Sequence, residues 1–183
     1  MLSLLPDFAD PWRLCALGKA YEGAIPLADL PRLAPLLTST EGEAAFALAF
    51  RIDAEGRPSV EVRVRAKLSV PCQRCLEPMV HEVDSETRLV VVNGPEEAER
   101  LPDDLDPLLL LGEDRLVPRS LLEDELLLAI PTAPRHRPED CSVSLDEVNS
   151  GSETSVKPEA ADTAAEHPFA VLAGWKGDKE HQD

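Results

Sequence analysis

Three cysteines and one histidine carry the most explicit chemistry in the chain. Cys72 and Cys75 flank Gln73-Arg74 in a C-x-x-C knuckle, and His136 and Cys141 follow about 60 residues later. Two thiolates three positions apart can share one ion across a tight turn. A second pair from a distant segment would close a tetrahedral Cys3His shell of the kind that holds a structural Zn²⁺. Taken alone, C-x-x-C is open to three readings: a redox pair, half of a metal site, or two ordinary cysteines. Redox pairs usually sit at a helix N-terminus, where the helix dipole lowers a thiol pKa. Here the knuckle lies between two predicted strands and Pro78 follows it, so the redox reading fits poorly. His81 competes as the fourth ligand. Cys15 has no partner at metal-site spacing and reads as a small buried hydrophobe.

The second feature is a basic stripe. Arg63, Arg65 and Lys67 alternate with valine, alanine and leucine, and Arg74 sits on the knuckle. Such residues can meet phosphate and so position RNA or a ribosomal protein, although a solvated strand face is the commoner reason for the pattern. Six of the 18 basic residues lie between Arg51 and Arg74, against three acidic ones, in a chain of net charge −17. The charge as a whole repels nucleic acid, so any such contact must be local. None of the seven aromatic residues lies between Ser59 and Val92, so this stretch would read RNA backbone or shape rather than stack on bases.

Period-two alternation predicts strands over Ala44–Ile52, Ser59–Val70 and Met79–Val92, joined as an antiparallel meander. Tyr21–Leu27 reads as a short strand ending an extended entry segment from Trp12. Asp29 reads as the cap of a helix that would place Leu30, Leu33, Leu36 and Leu37 on one face. Asn93–Leu111 is turn-rich and acidic. Pro118–Ile130 has helical spacing and stops at Pro131. Glu125 falls on the apolar face of that helix, which suggests a buried carboxylate bonded to a strand arginine. The expected class is α+β, an antiparallel meander with helices on one face. The expected organisation is a core over 1–141, an acidic disordered linker over 142–166, a docking helix over 167–176 and a disordered tail over 177–183.

No stretch approaches the ~20 apolar residues of a membrane span, and the first residues lack the basic and apolar regions of a secretory signal. A cytoplasmic location with reduced thiols is expected. There is no G-x-S-x-G, P-loop or H-E-x-x-H, so the chain reads as a non-enzyme with no small-molecule substrate.

The ordered motifs resemble a known family. Cys72-Gln73-Arg74-Cys75-Leu76, Glu123-Asp124-Glu125-Leu126-Leu127-Leu128-Ala129-Ile130-Pro131, the His136…Cys141 loop and Pro168-Phe169-Ala170-Val171-Leu172-Ala173 are together similar to the YceD family, the large ribosomal RNA subunit accumulation proteins. The likeness runs from about Tyr21–Leu27 to Lys176. It implies a role in accumulating 23S ribosomal RNA during large-subunit assembly, with that RNA, its precursor or a large-subunit ribosomal protein as partner. It also places the family's knuckle on Cys72 and Cys75, and its later His and Cys on His136 and Cys141. The terminal motif departs from the usual Asn-Pro-Phe: His167 stands where asparagine, a far better helix cap, is typical.

Overall fold

A computed structural model describes residues 5–110 and 115–143. The predicted linker, docking helix and tail lie outside these residues, apart from the first two linker positions. Five strands form one sheet in the order β1-β2-β3-β4-β5: β1 Ala20–Pro26, β2 Glu43–Ile52, β3 Pro58–Pro71, β4 Pro78–Val92 and β5 Asp106–Leu109. The first four pair antiparallel, which is the predicted meander, and β5 adds parallel to β4. Helices α1 (Pro11–Ala16), α2 (Pro95–Ala98) and α3 (Pro118–Ala129) complete an α+β fold. Among the described residues no helix is long and apolar enough to cross a membrane.

Alternation does on β3 what it predicts. Val60, Val62, Val64, Leu68 and Val70 are buried together with Phe46, Leu48 and Phe50 of β2, while Arg63, Arg65 and Lys67 face water. The β2–β3 turn closes on Asp53, whose Oδ1 accepts from the backbone N–H of Glu55 (3.0 Å) and Arg57 (2.7 Å). Gly56 takes φ +82° there, a conformation that a Cβ would strain. Leu121, Leu122 and Leu126 of α3 cover the sheet's inner face, and full burial of each such leucine contributes about 2 kcal/mol.

The inner face of β4 is partly polar, and α3 answers it. Thr87 Oγ1 donates to Glu125 Oε2 at 2.7 Å, and His81 Nε2 donates to the carbonyl of Ala129 at 3.0 Å. Glu125 is therefore buried and partnered as expected, but by hydroxyls rather than by an arginine. His81, the competing fourth ligand, is not among the residues whose ligand atoms cluster with the cysteines. Cys15 is buried, with its thiol directed at the Ser59 carbonyl.

Three local expectations need correction. The extended entry segment contains α1, started by Asp10, whose carboxylate accepts from Arg13 N, with Pro11 in the first turn. The helix expected after Asp29 is instead two 3-10 turns, Leu27–Asp29 and Ala34–Leu36. Pro35 cannot donate to the carbonyl of Pro31, and its ring clashes with that carbonyl in an α-helix. Leu30 and Leu33 are nevertheless buried, while Leu36 is exposed. The segment Asn93–Leu111, expected as turns, carries α2 and β5, which are too short to show a period.

Candidate metal centre

The knuckle joins β3 to β4 at one end of the sheet and is held by its own backbone. Cys72 N donates to the carbonyl of Glu77 (2.9 Å) and Leu76 N to that of Cys72 (2.8 Å). Leu76 closes the turn at φ +65°, a left-handed conformation that costs a branched residue about 1 kcal/mol, and its side chain stands 74% exposed. Leu76→Gly is expected to raise the melting temperature by a few degrees, and Leu76→Ala, which keeps the strain, is not. Equal melting curves for the two variants would show that the turn is relaxed.

The second segment comes from the proline-rich stretch after α3. Pro134 is buried and accepts from Gln73 N at 2.7 Å. His136 N donates to Cys72 Sγ at 3.4 Å, as does Arg74 N at the same distance. The imidazole is oriented from both sides: Nε2 donates to the Pro78 carbonyl at 3.3 Å, and Nδ1 faces Cys75 Sγ at 3.4 Å. Cys141 completes the group. The four ligand atoms of Cys72, Cys75, His136 and Cys141 all lie within 4.8 Å of one another, a cluster that can hold a metal ion.

The electrostatics suit a cation. Burial opposes ionisation of Cys72, yet the backbone N–H groups of Cys75, His136 and Arg74 outweigh it and lower the thiol to about 5. Cys75 is lowered too: burial is outweighed by the backbone N–H of Glu77 and by the Ser142 and His136 side chains. The hydrogen bond to Cys75 raises His136. Against a bond from Val143 N, burial and the neighbouring sulfurs hold Cys141 up. Two sulfurs that favour the thiolate therefore sit beside a third that resists it, and a shared divalent ion relieves the crowding of negative charge. Tetrahedral Zn–S bonds of 2.3 Å place sulfurs roughly 3.8 Å apart. The donor types and the span of the cluster both fit that requirement.

The stripe lies elsewhere on the sheet. Arg63, Arg65 and Lys67 each face an acid on β4: Glu86 at 2.5 Å, Asp84 at 3.0 Å and Glu82 at 3.0 Å. The register pairs the same residues, Arg63 with Glu86, Arg65 with Asp84 and Lys67 with Glu82. Arg74 is not part of this ladder. The apolar residues of β4 predict the strand but not these acid rungs. The spacing of Glu82, Asp84 and Glu86 is the signal that could have found them.

These features define a class: an α+β domain whose sheet is pinned at one end by a cysteine–histidine cluster joining a hairpin to the segment after the last described helix. The family description "Large ribosomal RNA subunit accumulation protein YceD" matches residues 60–176. A protein of Haemophilus influenzae named Large ribosomal RNA subunit accumulation protein YceD is 31% identical over 177 residues, covering 94% of this chain and 96% of that protein. The chain belongs to the YceD family. No solved structure matches it.

Proposed function

We propose that the protein is a cytoplasmic, non-enzymatic factor that supports synthesis, processing or stability of 23S ribosomal RNA during large-subunit assembly. The observation that carries this reading is its likeness, over nearly its whole length, to a relative named for large ribosomal RNA subunit accumulation. The four-residue cluster supports the non-enzymatic part. When Cys72, Cys75, His136 and Cys141 hold one Zn²⁺, every tetrahedral position is filled by protein, and no position remains for substrate or activated water. The ion then acts as a clamp between the two segments. The partner is 23S ribosomal RNA or its precursor, or a large-subunit ribosomal protein.

Depletion of the protein is expected to lower 23S relative to 16S RNA and to reduce free large subunits on a sucrose gradient. A normal profile and a normal RNA ratio would overturn the reading.

A second reading is an adaptor that contacts a basic partner protein without binding RNA, which suits a chain of net charge −17, and one observation on the sheet favours it. The Arg63, Arg65 and Lys67 stripe, with its acid rungs, is a face of alternating charge. A phosphate chain approaching it would displace weak surface pairs and then face the released carboxylates. A protein surface with the opposite alternation would meet no such penalty.

A further inference from the structure

Two groups of basic residues differ in their pairing, while Arg13, Lys19, Arg115 and Arg119, elsewhere in the chain, have no ion pair among the described residues. On the sheet and its β2–β3 hairpin, each of Arg51, Arg57, Arg63, Arg65, Lys67 and Arg88 has an acid within 3.1 Å. At the cysteine knuckle, Arg74, Arg135 and Arg137 have no ion pair among the described residues. Glu77, Glu139 and Asp140 occupy the same two loops, yet among the described residues none of them is paired with these guanidinium groups.

The three arginines are brought together by the fold, not by sequence. Arg74 N and His136 N donate to one sulfur, Cys72 Sγ, at 3.4 Å each. Gln73 N is bonded to the carbonyl of Pro134. Arg74 therefore lies across a single shared atom from the residue that Arg135 and Arg137 flank. Arg135 and Arg137 are exposed and Arg74 is half-buried. The backbone beneath them is fixed by the knuckle turn, by Pro134 and by Pro138, so ordering it on binding costs little. An unpaired guanidinium offers its five donors to phosphate without first displacing a carboxylate.

We infer that Arg74, Arg135 and Arg137 form a phosphate-contacting RNA site at the knuckle end of the sheet. This rests on the ribosomal-RNA reading above and gives it a location. Sequence-independent backbone contact suits a site with three arginines and no aromatic residue in either loop. The cysteine–histidine cluster positions the arginines, because it holds the two segments in one place.

The test is filter binding of transcribed 23S ribosomal RNA to the full chain over about 50 to 200 mM salt, the range in which phosphate contacts are strongly screened. The triple variant Arg74→Gln, Arg135→Gln, Arg137→Gln is expected to bind at least tenfold more weakly. Its plot of log affinity against log salt should be shallower by about 2, since each lost phosphate contact removes roughly 0.7 to 0.9. Arg63→Gln, Arg65→Gln, Lys67→Gln is expected to stay within about twofold of the parent. Circular dichroism and metal content check the fold. Should the first variant unfold, single Arg135→Gln and Arg137→Gln, both at exposed positions, are each expected to weaken binding about threefold. Parent-like binding by the folded knuckle variants, or loss confined to the strand variant, would overturn the site and leave the RNA reading standing. An unaltered chain with no salt-dependent affinity for 23S RNA would overturn both, and would move the adaptor reading to first place.

Discussion

With Zn²⁺ held by the cluster, Cys72→Ser is expected to abolish its binding and to lower the melting temperature by roughly 10 °C or more. The reason is topological as much as chemical. Cys72 is fully buried and takes backbone N–H bonds from two segments far apart in sequence, among them those of Arg74 and His136. Serine keeps the size of the side chain but offers a poor, protonated ligand, and those N–H groups lose their thiolate acceptor. The loop joining the two ligand pairs spans 61 residues between Cys75 and His136, so the clamp closes a long loop as well as a local turn. A strong chelator should reproduce the loss in the parent protein and leave Cys72→Ser unchanged. Cys15→Ala is the matched control, since Cys15 is also buried but stands outside the cluster. Metal analysis and calorimetry decide the matter. Protein that is purified without zinc and melts at the same temperature with and without chelator would sink the clamp.

Much of this arrangement is legible in the residues themselves. Ser59–Val70 shows strict alternation, and a period of two has only one reading when one side is all valine, alanine and leucine. Cys72, Cys75, His136 and Cys141 stand out as a candidate ligand set by residue type and spacing, and the fold brings all four ligand atoms together. What escapes a linear reading is either short or pairwise. The four residues of β5 and the six of α1 are too brief for periodicity, although Asp10-Pro11 is a start signal in its own right. The stretch after Asp29 misleads because four leucines at helical spacing suggest a helix that Pro35 forbids. The acid rungs beside Arg63, Arg65 and Lys67 depend on strand register, which alternation alone does not supply. Register also separates the neutralised strand from the unpaired arginines at the knuckle, so only the three-dimensional arrangement distinguishes the two basic groups.

Glu123 is a case where sequence position misleads about burial, and it yields the second large effect. It lies in the carboxylate run Glu123-Asp124-Glu125, of which only Glu125 falls on the apolar face in the sequence, yet its side chain is only 3% exposed. Its Oε1 accepts from Arg32 N at 2.6 Å and Leu33 N at 3.0 Å, and Oε2 accepts from Arg32 Nε at 3.0 Å. The carboxylate thereby satisfies the backbone of the 3-10 segment and pins it to α3. Glu123→Ala is expected to cost about 3 kcal/mol, because it strands the buried N–H of Leu33 and removes the charge partner of Arg32. Arg32→Ala should cost only about 1 kcal/mol. That guanidinium is 49% exposed, surface pairs contribute little, and Glu123 would keep both backbone donors. Acid should act through the same group. Burial raises the carboxyl, but the N–H groups of Leu33 and Arg32 and the guanidinium of Arg32 outweigh it, so Glu123 lies below its ordinary 4.5. A depressed folded pKa means that its stabilisation is complete above that ordinary value and is lost as pH falls through the lower, folded one. Urea unfolding from pH 7 down to about 3 should therefore show the parent losing more stability than Glu123→Ala, with the two curves converging at the acid end. Equal costs for Glu123→Ala and Arg32→Ala at pH 7 would mean that the ion pair, not the backbone bonds, anchors the segment. Parallel curves with no convergence would mean that the carboxylate is not the group whose protonation releases it.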